Sequence, residues 1–167
     1  MKRALKRDKK ETFMGKAIKQ ALVSLKYKEV PIGAVVVDKH GTVIGRGYNK
    51  METAACQLAH AEARAIAQAC KRIGDWRLNG CTIYVTLEPC LMCIGLIQLS
   101  RIEAVVFGAT SPLFGSVVTT SLPLPSYAKH LSIESGIRAE ECMALLQSFF
   151  KNVRKQRKEK RRGSSEG

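Results

Sequence analysis

The sequence predicts a three-layer α/β/α domain whose mixed sheet has about five strands. Three observations carry this. Apolar residues fall at helical spacing in residues 12–28 and again in residues 139–155. Two β-rich runs joined by a short turn make an antiparallel hairpin early in the chain. A strand, helix, strand, helix, strand order follows, which implies right-handed parallel crossovers with helices covering the sheet.

Each element has a local reason. In residues 12–28 the apolar positions are Phe13, Met14, Ala17, Ile18, Ala21, Leu22 and Leu25, one face of an amphipathic helix. Glu29-Val30-Pro31 ends it, because a residue before proline avoids the α region. Residues 32–38 and 43–49 form the hairpin around Lys39-His40-Gly41-Thr42. Gly33, Gly45 and Gly47 within these strands suggest close backbone approach or a bulge. Residues 51–58 read as a loop and 59–73 as a helix that Gly74 ends. Residues 81–87 make a strand, and 89–99 a helix with Pro89 in its first turn. Residues 104–108 are a further buried strand. Pro112, Pro123, Pro125, Gly115 and Gly136 break every periodicity across residues 110–136.

At 167 residues the chain suits one domain, able to bury roughly two-thirds of its unfolded surface without a disulfide framework. Residues 1–11 form a basic N-terminal extension, 12–157 the folded domain, and 158–167 a basic, polar, disordered tail. No apolar run is long enough for a membrane span, and no apolar segment follows the basic start as a secretory signal requires. Six irregularly spaced cysteines then argue for a reducing, cytoplasmic setting in which thiols stay free or bind metal. Net charge is +14, and it is terminal: residues 1–10 carry +5, residues 151–162 carry +7, residues 11–150 only +3, and Glu166 subtracts one. Such blocks fit either solvated ends or a phosphate-binding footprint.

The chemistry concentrates in Ala59-His60-Ala61-Glu62 and Glu88-Pro89-Cys90-Leu91-Met92-Cys93, each at the start of a predicted helix. Cys90 and Cys93 are three apart and project from one face of a first turn. His60 opens the other helix; if the two helix starts face each other, one imidazole and two thiolates can converge on a metal. Zinc suits that set, and three protein ligands leave a fourth position open. Glu62, two residues beyond His60, is then placed to move protons without binding metal. The combination His-x-Glu followed by Pro-Cys-x-x-Cys is the signature of zinc deaminases. Neither half is specific by itself, since a lone Cys-x-x-Cys is equally a redox or structural zinc motif. Structural zinc would require a fourth ligand from Cys56, Cys70, Cys81, Cys142, His40 or His130.

Beyond these motifs, the chain resembles the bacterial tRNA-specific adenosine deaminases of the cytidine deaminase-like superfamily. The resemblance runs from about Thr12 to Arg157 and is carried by several runs besides the metal signature. These include Glu29-Val30-Pro31-Ile32-Gly33-Ala34, Gly47-Tyr48-Asn49, Tyr84-Val85-Thr86-Leu87-Glu88-Pro89-Cys90, Ser100-Arg101-Ile102 and Val105-Val106-Phe107-Gly108-Ala109. It implies the cytidine deaminase-like fold, one zinc per subunit on His60, Cys90 and Cys93, and Glu62 as the proton shuttle. It further implies that Asn49 hydrogen-bonds the purine base, that Val30 packs against it, and that the backbone amides of Ala61 and Cys90 hold base and water. Phe149, Phe150, Lys151 and Arg154 correspond to the family's grip on a tRNA anticodon stem-loop, and a homodimer is implied. The sequence departs from the family after Ala109. Thr110-Ser111-Pro112-Leu113-Phe114-Gly115-Ser116 keeps only the glycine, and Ser111 stands where an aspartate usually contacts the target sugar. Cys56-Gln57-Leu58 likewise replaces an Asp-Pro-Thr.

The resulting expectation is hydrolytic deamination of adenosine to inosine at the wobble position of a tRNA, an arginine tRNA in particular. Two other readings stand beside it: a deaminase of free guanine or cytosine, and a catalytically silent RNA-binding subunit.

Overall fold

The computed structural model describes residues 2–116 and 131–163. Helix α1 (Lys2–Lys26) leads into the hairpin β1 (Gly33–Val37) and β2 (Val43–Tyr48). A short helix α2 (Met51–Ala54) and a 3-10 turn (Gln57–Ala59) precede α3 (Ala61–Ile73). Then come β3 (Thr82–Leu87), α4 (Leu91–Leu99), β4 (Ala104–Ala109), β5 (Ser132–Glu134) and α5 (Ala139–Gly163). The sheet order is β2-β1-β3-β4-β5, with β1 antiparallel to both neighbours and β3, β4 and β5 mutually parallel. The mixed five-stranded sheet is the one expected. The crossovers follow as well: β2 and β3, both antiparallel to β1, run parallel and are joined through α3 across β1, while α4 joins the adjacent parallel strands β3 and β4.

Strand alternation divides the core. Ala34, Val36, Ile83, Val85, Val105 and Phe107 face α3 and α4, where Ala65, Ile66, Ile94 and Ile97 meet them. Val35, Val37, Tyr84 and Val106 face the opposite way, onto Met14, Ala17 and Ile18 of α1 and Cys142 of α5. A two-residue period on the strands and helical spacing on their partners thus produce the three layers.

Element ends differ from expectation mostly where solvent takes over from the core. Helix α1 begins at Lys2 rather than near residue 12, and α5 runs to Gly163 rather than ending at Lys155. The helices therefore include most of residues 1–11 and the first half of the tail expected to be disordered; residues 164–167 lie outside the described residues. Lys, Arg and Glu are strong helix formers that need no buried face, and Arg7 pairs with Glu11 one turn on at 3.1 Å. Residues 51–58 hold α2 and the 3-10 turn rather than a plain loop. Pro89 lies outside α4, because Cys90 is the N-cap residue and the helix begins at Leu91. Strand β5 comes from the stretch 110–136 that sequence pattern left unassigned, of which residues 117–130 lie outside the described residues. Among the described residues no helix is long and apolar enough to cross a membrane.

The strand glycines mark where helix backbones touch the sheet. A Cβ on Gly33 would lie 2.1 Å from the Ala17 carbonyl of α1; on Gly45, 2.1 Å from that of Ala65; on Gly47, 1.9 Å from that of Ala61. None of these neighbours is a side-chain end that could swing aside. Gly47→Ala is therefore expected to push the first turn of α3 off β2, costing about 1–3 kcal/mol by overpacking. Thermal unfolding checks it, and an unchanged Tm would show that the contact tolerates a methyl group.

Candidate metal centre and active site

Two helix starts build the site. His60 is the N-cap residue of α3 and Cys90 that of α4, both with extended backbone and neither bonding its own helix through its side chain. Both side chains are thus left to face each other. Cys93, one turn into α4, points to the same place and is fully buried. The His60 Nδ1 atom lies 3.8 Å from Cys90 Sγ and 3.5 Å from Cys93 Sγ. Around a tetrahedral zinc with ordinary bond lengths, sulfur and nitrogen ligands stand about 3.6 Å apart. Both separations suit a shared tetrahedral zinc, whose fourth position three protein ligands leave to another donor. Among the described residues it is the one group of three or more His, Cys, Asp or Glu whose donor atoms gather this closely. Cys56, Cys70, Cys81, Cys142 and His40 do not join it; His130 lies outside the described residues.

The metal-free protonation pattern shows how strongly these groups couple. The Cys93 thiol hydrogen-bonds Cys90 and holds it down at about 4, against the opposing effect of burial, with His60 helping. Cys93 is pushed up by that same bond, by burial and by the Glu62 charge. The Cys90 hydrogen bond and the Glu62 carboxylate raise His60 against burial. Bound zinc deprotonates coordinating thiols outright.

Glu62 lies in the first turn of α3 and is only 4% exposed. Burial raises its pKa, and the Cys90 charge adds to this, while its own backbone N–H, His60 and the Cys93 thiol oppose it. A carboxyl group raised toward neutrality in a water-poor site is suited to accept and return a proton.

The walls come from elsewhere. Asn49 is buried at the end of β2, and its Nδ2 donates to the Val30 carbonyl at 3.3 Å, so the structure brings these two predicted residues together. Ala61 opens α3, where a backbone N–H has no acceptor within the helix. Ser111 is also buried, but its Oγ accepts the Phe114 N–H at 3.3 Å, turning the hydroxyl toward its own loop. Phe149, Phe150, Lys151 and Arg154 lie near the middle of α5, which packs on the sheet face opposite α3 and α4. The two rings meet edge to face at 5.3 Å, and Phe150, Lys151 and Arg154 are exposed.

Two buried carboxylates escaped the sequence reading. Burial pushes Glu29 up, yet the backbone N–H groups of Thr53 and Glu52 outweigh it and carry its pKa below the usual range. These bonds, at 2.6 and 3.2 Å, tie α2 to the segment bearing Val30. Glu88 accepts the Ser111 N–H at 3.0 Å, and both the N–H and Oγ of Ser116 donate to the Pro89 carbonyl. The loop 111–116 is thereby fastened to the two residues before Cys90. Gly115 is required there, since a Cβ would lie 2.3 Å from Glu88 Oε2. The signal for both was an acid immediately before Val-Pro or Pro-Cys, inside otherwise apolar runs.

Residues 7–109 match the family described as the cytidine and deoxycytidylate deaminase zinc-binding region. The tRNA-specific adenosine deaminase of Bacillus subtilis (strain 168) is 44% identical over 158 residues, spanning 93% of this chain and 98% of its own. A structure from work on A-to-I editing by tRNA:A34 deaminases at the wobble position of transfer RNA superposes with a TM-score of 0.72 at 37% identity. It covers 81% of this chain and 99% of its own. A guanine deaminase from Bacillus subtilis is 38% identical with a TM-score of 0.56, over 60% of this chain and 64% of its own. With the zinc-fitting trio, the buried glutamate and the five-stranded sheet, these relations make the chain a member of the zinc-binding cytidine and deoxycytidylate deaminase family, in its tRNA-specific adenosine deaminase branch.

Proposed function

We propose that this enzyme converts adenosine to inosine at the wobble position of a tRNA anticodon, an arginine tRNA in particular. The observation that carries the reading is the buried Glu62 carboxyl beside a three-ligand zinc trio. His60, Cys90 and Cys93 would hold the ion, which supplies a Lewis acid that makes water nucleophilic near neutral pH. Glu62 takes the proton from the attacking water on its carboxylate and passes it to the ring nitrogen beside C6. Once the C–O bond has formed, the same carboxylate takes the second proton from the new C6 hydroxyl and delivers it to the amine as the C–N bond breaks, so adenosine and water become inosine and ammonia. Asn49 and Val30 hold the base, while the amides of Ala61 and Cys90 orient it and the water. A loop nucleotide suits this buried site, because an unpaired base can be splayed into it at modest cost.

The basic stretch of α5, with Phe149 and Phe150 ahead of Lys151 and Arg154, supports a grip on the anticodon stem-loop. We place the enzyme in the cytoplasm, where its tRNA substrate and six free thiols are at home. A second copy of the chain is its partner. A groove of about 1360 Å³ bears Leu58, Trp76 and Leu99, which are 68%, 51% and 61% exposed. The same groove is lined by Gln98, whose buried Nε2 has no acceptor among the described residues. Apolar exposure beside an unsatisfied buried donor is the pattern that a subunit interface resolves.

The guanine deaminase likeness supports a second reading, a free nucleobase as substrate. Assaying guanine beside a wobble-adenosine stem-loop separates the two.

Wild-type protein is expected to form inosine on an arginine anticodon stem-loop and to leave guanine unchanged. Glu62→Ala should lose about 10²–10⁴-fold in kcat with zinc content and RNA affinity retained; full turnover in that variant would remove the glutamate from the mechanism. Leu99→Glu is expected to turn a dimer into a monomer in analytical ultracentrifugation, and an undisturbed dimer would move the interface elsewhere.

A further inference from the structure

A cluster on the two elements that carry Asn49 and Glu62 has no part in the account so far. The rings of Tyr27, just beyond α1, and Tyr48, at the end of β2, lie 5.7 Å apart and within 9° of parallel. Lys50 Nζ stands 4.9 Å from the Tyr27 ring centre, and the Arg64 guanidinium 4.1 Å from that of Tyr48. Tyr27 is 43% exposed, and the other three are half-buried. The neighbouring Tyr27 hydroxyl holds the Tyr48 phenol below its usual range, and Arg64 adds to this. Among the described residues neither cation forms an ion pair. Lys50 acts electrostatically on Glu29, a carboxylate that already accepts two backbone N–H groups.

The position of this pile matters as much as its chemistry. Tyr48 and Lys50 flank Asn49 in sequence. Arg64 is two residues beyond Glu62, and its backbone N–H bonds the His60 carbonyl at 3.1 Å. The pile is thus carried by the same two elements that hold the base-binding and proton-moving side chains. A guanidinium lying on an aromatic face keeps its N–H edges free and already oriented, which suits a phosphate better than a mobile chain would. Its side-chain entropy is lost on folding, not on binding.

We propose that Lys50, Tyr27, Tyr48 and Arg64 form a phosphate clamp, two cations held on stacked tyrosines that grip the RNA backbone beside the target nucleotide. The clamp rests on the RNA reading above and is distinct from the basic face of α5. It fixes the strand at the mouth of the site, so that the target base enters with its sugar and phosphate already positioned.

The test uses the zinc-loaded full chain and an anticodon stem-loop with adenosine at the wobble position. Arg64→Gln and Lys50→Gln should each raise KM about tenfold, as loss of a charged hydrogen bond does, with kcat moving less than about twofold. Each should also make the plot of log affinity against log salt shallower by about 0.7, the single-strand value for one phosphate. Arg64→Lys should restore the salt slope but only part of the KM, since it keeps the charge and loses the flat stack. A neutral methylphosphonate at a phosphate flanking the target should bring the wild type to the variant's KM and leave the variant unmoved. Unchanged KM and slope in both variants, with the wild type active, overturns the clamp and spares the RNA reading. A lower kcat at unchanged KM and slope also overturns it, and marks Arg64 as a support for the helix of Glu62. A zinc-loaded wild type that converts no RNA overturns the RNA reading, and the clamp with it.

Discussion

Everything at the site depends on two helix starts being held face to face with almost nothing between β2 and the first turns of α3. Gly45 and Gly47 make that possible, because their missing Cβ atoms would occupy the carbonyls of Ala65 and Ala61. With α3 seated this closely, His60 is brought to the end of the sheet where β3 delivers Cys90. Parallel pairing of β3 and β4 through α4 fixes the other half. A ligand set whose partners are about thirty residues apart in sequence is thereby assembled by backbone contact, before any metal contributes.

Burying charge is the cost of such a site, and the structure offsets it in distinct ways. The two thiols and the imidazole share protons and hydrogen bonds, so that a single thiolate at Cys90 stands against a raised His60. Zinc replaces that arrangement with direct neutralisation. Glu29 and Glu88, away from the metal, accept backbone N–H groups instead, a charged hydrogen bond being among the stronger ways to satisfy a buried carboxylate. At Glu62 burial outweighs the lowering effect of its own backbone N–H, and its pKa rises. The difference sorts the three glutamates: two hold walls, and one is left able to exchange a proton.

The metal trio and Glu62 were legible because their spacing is short-range: each pair sits within one helical turn, and a helix start can be read from its neighbours. The three layers were legible for a similar reason, since residues 33–37 and 82–87 are short apolar runs, buried on both faces, set between helical patterns. What could not be read depended on tertiary contact. Glu29 looks like a helix-ending acid until α2 folds over it, and Arg64 looks like a solvated helix residue until Tyr48 lies beneath it. Strand β5 is three residues long and takes its identity from pairing with β4, not from pattern. Pro89 reads as a first-turn proline because nothing in sequence tells that turn from the residue before an N-cap. Terminal helix lengths were missed because Lys- and Arg-rich helices lack the apolar stripe that marks the others.

The account's central claim is that His60, Cys90 and Cys93 hold one zinc with a position left open for chemistry. X-ray absorption at the zinc edge on purified protein tests this most directly, read together with metal content. The account predicts one zinc per chain with two sulfur and two nitrogen or oxygen neighbours, at about 2.3 and 2.0–2.2 Å. A shell of three or four sulfurs would contradict it, for it would mean that another cysteine closes the site and that the ion is structural.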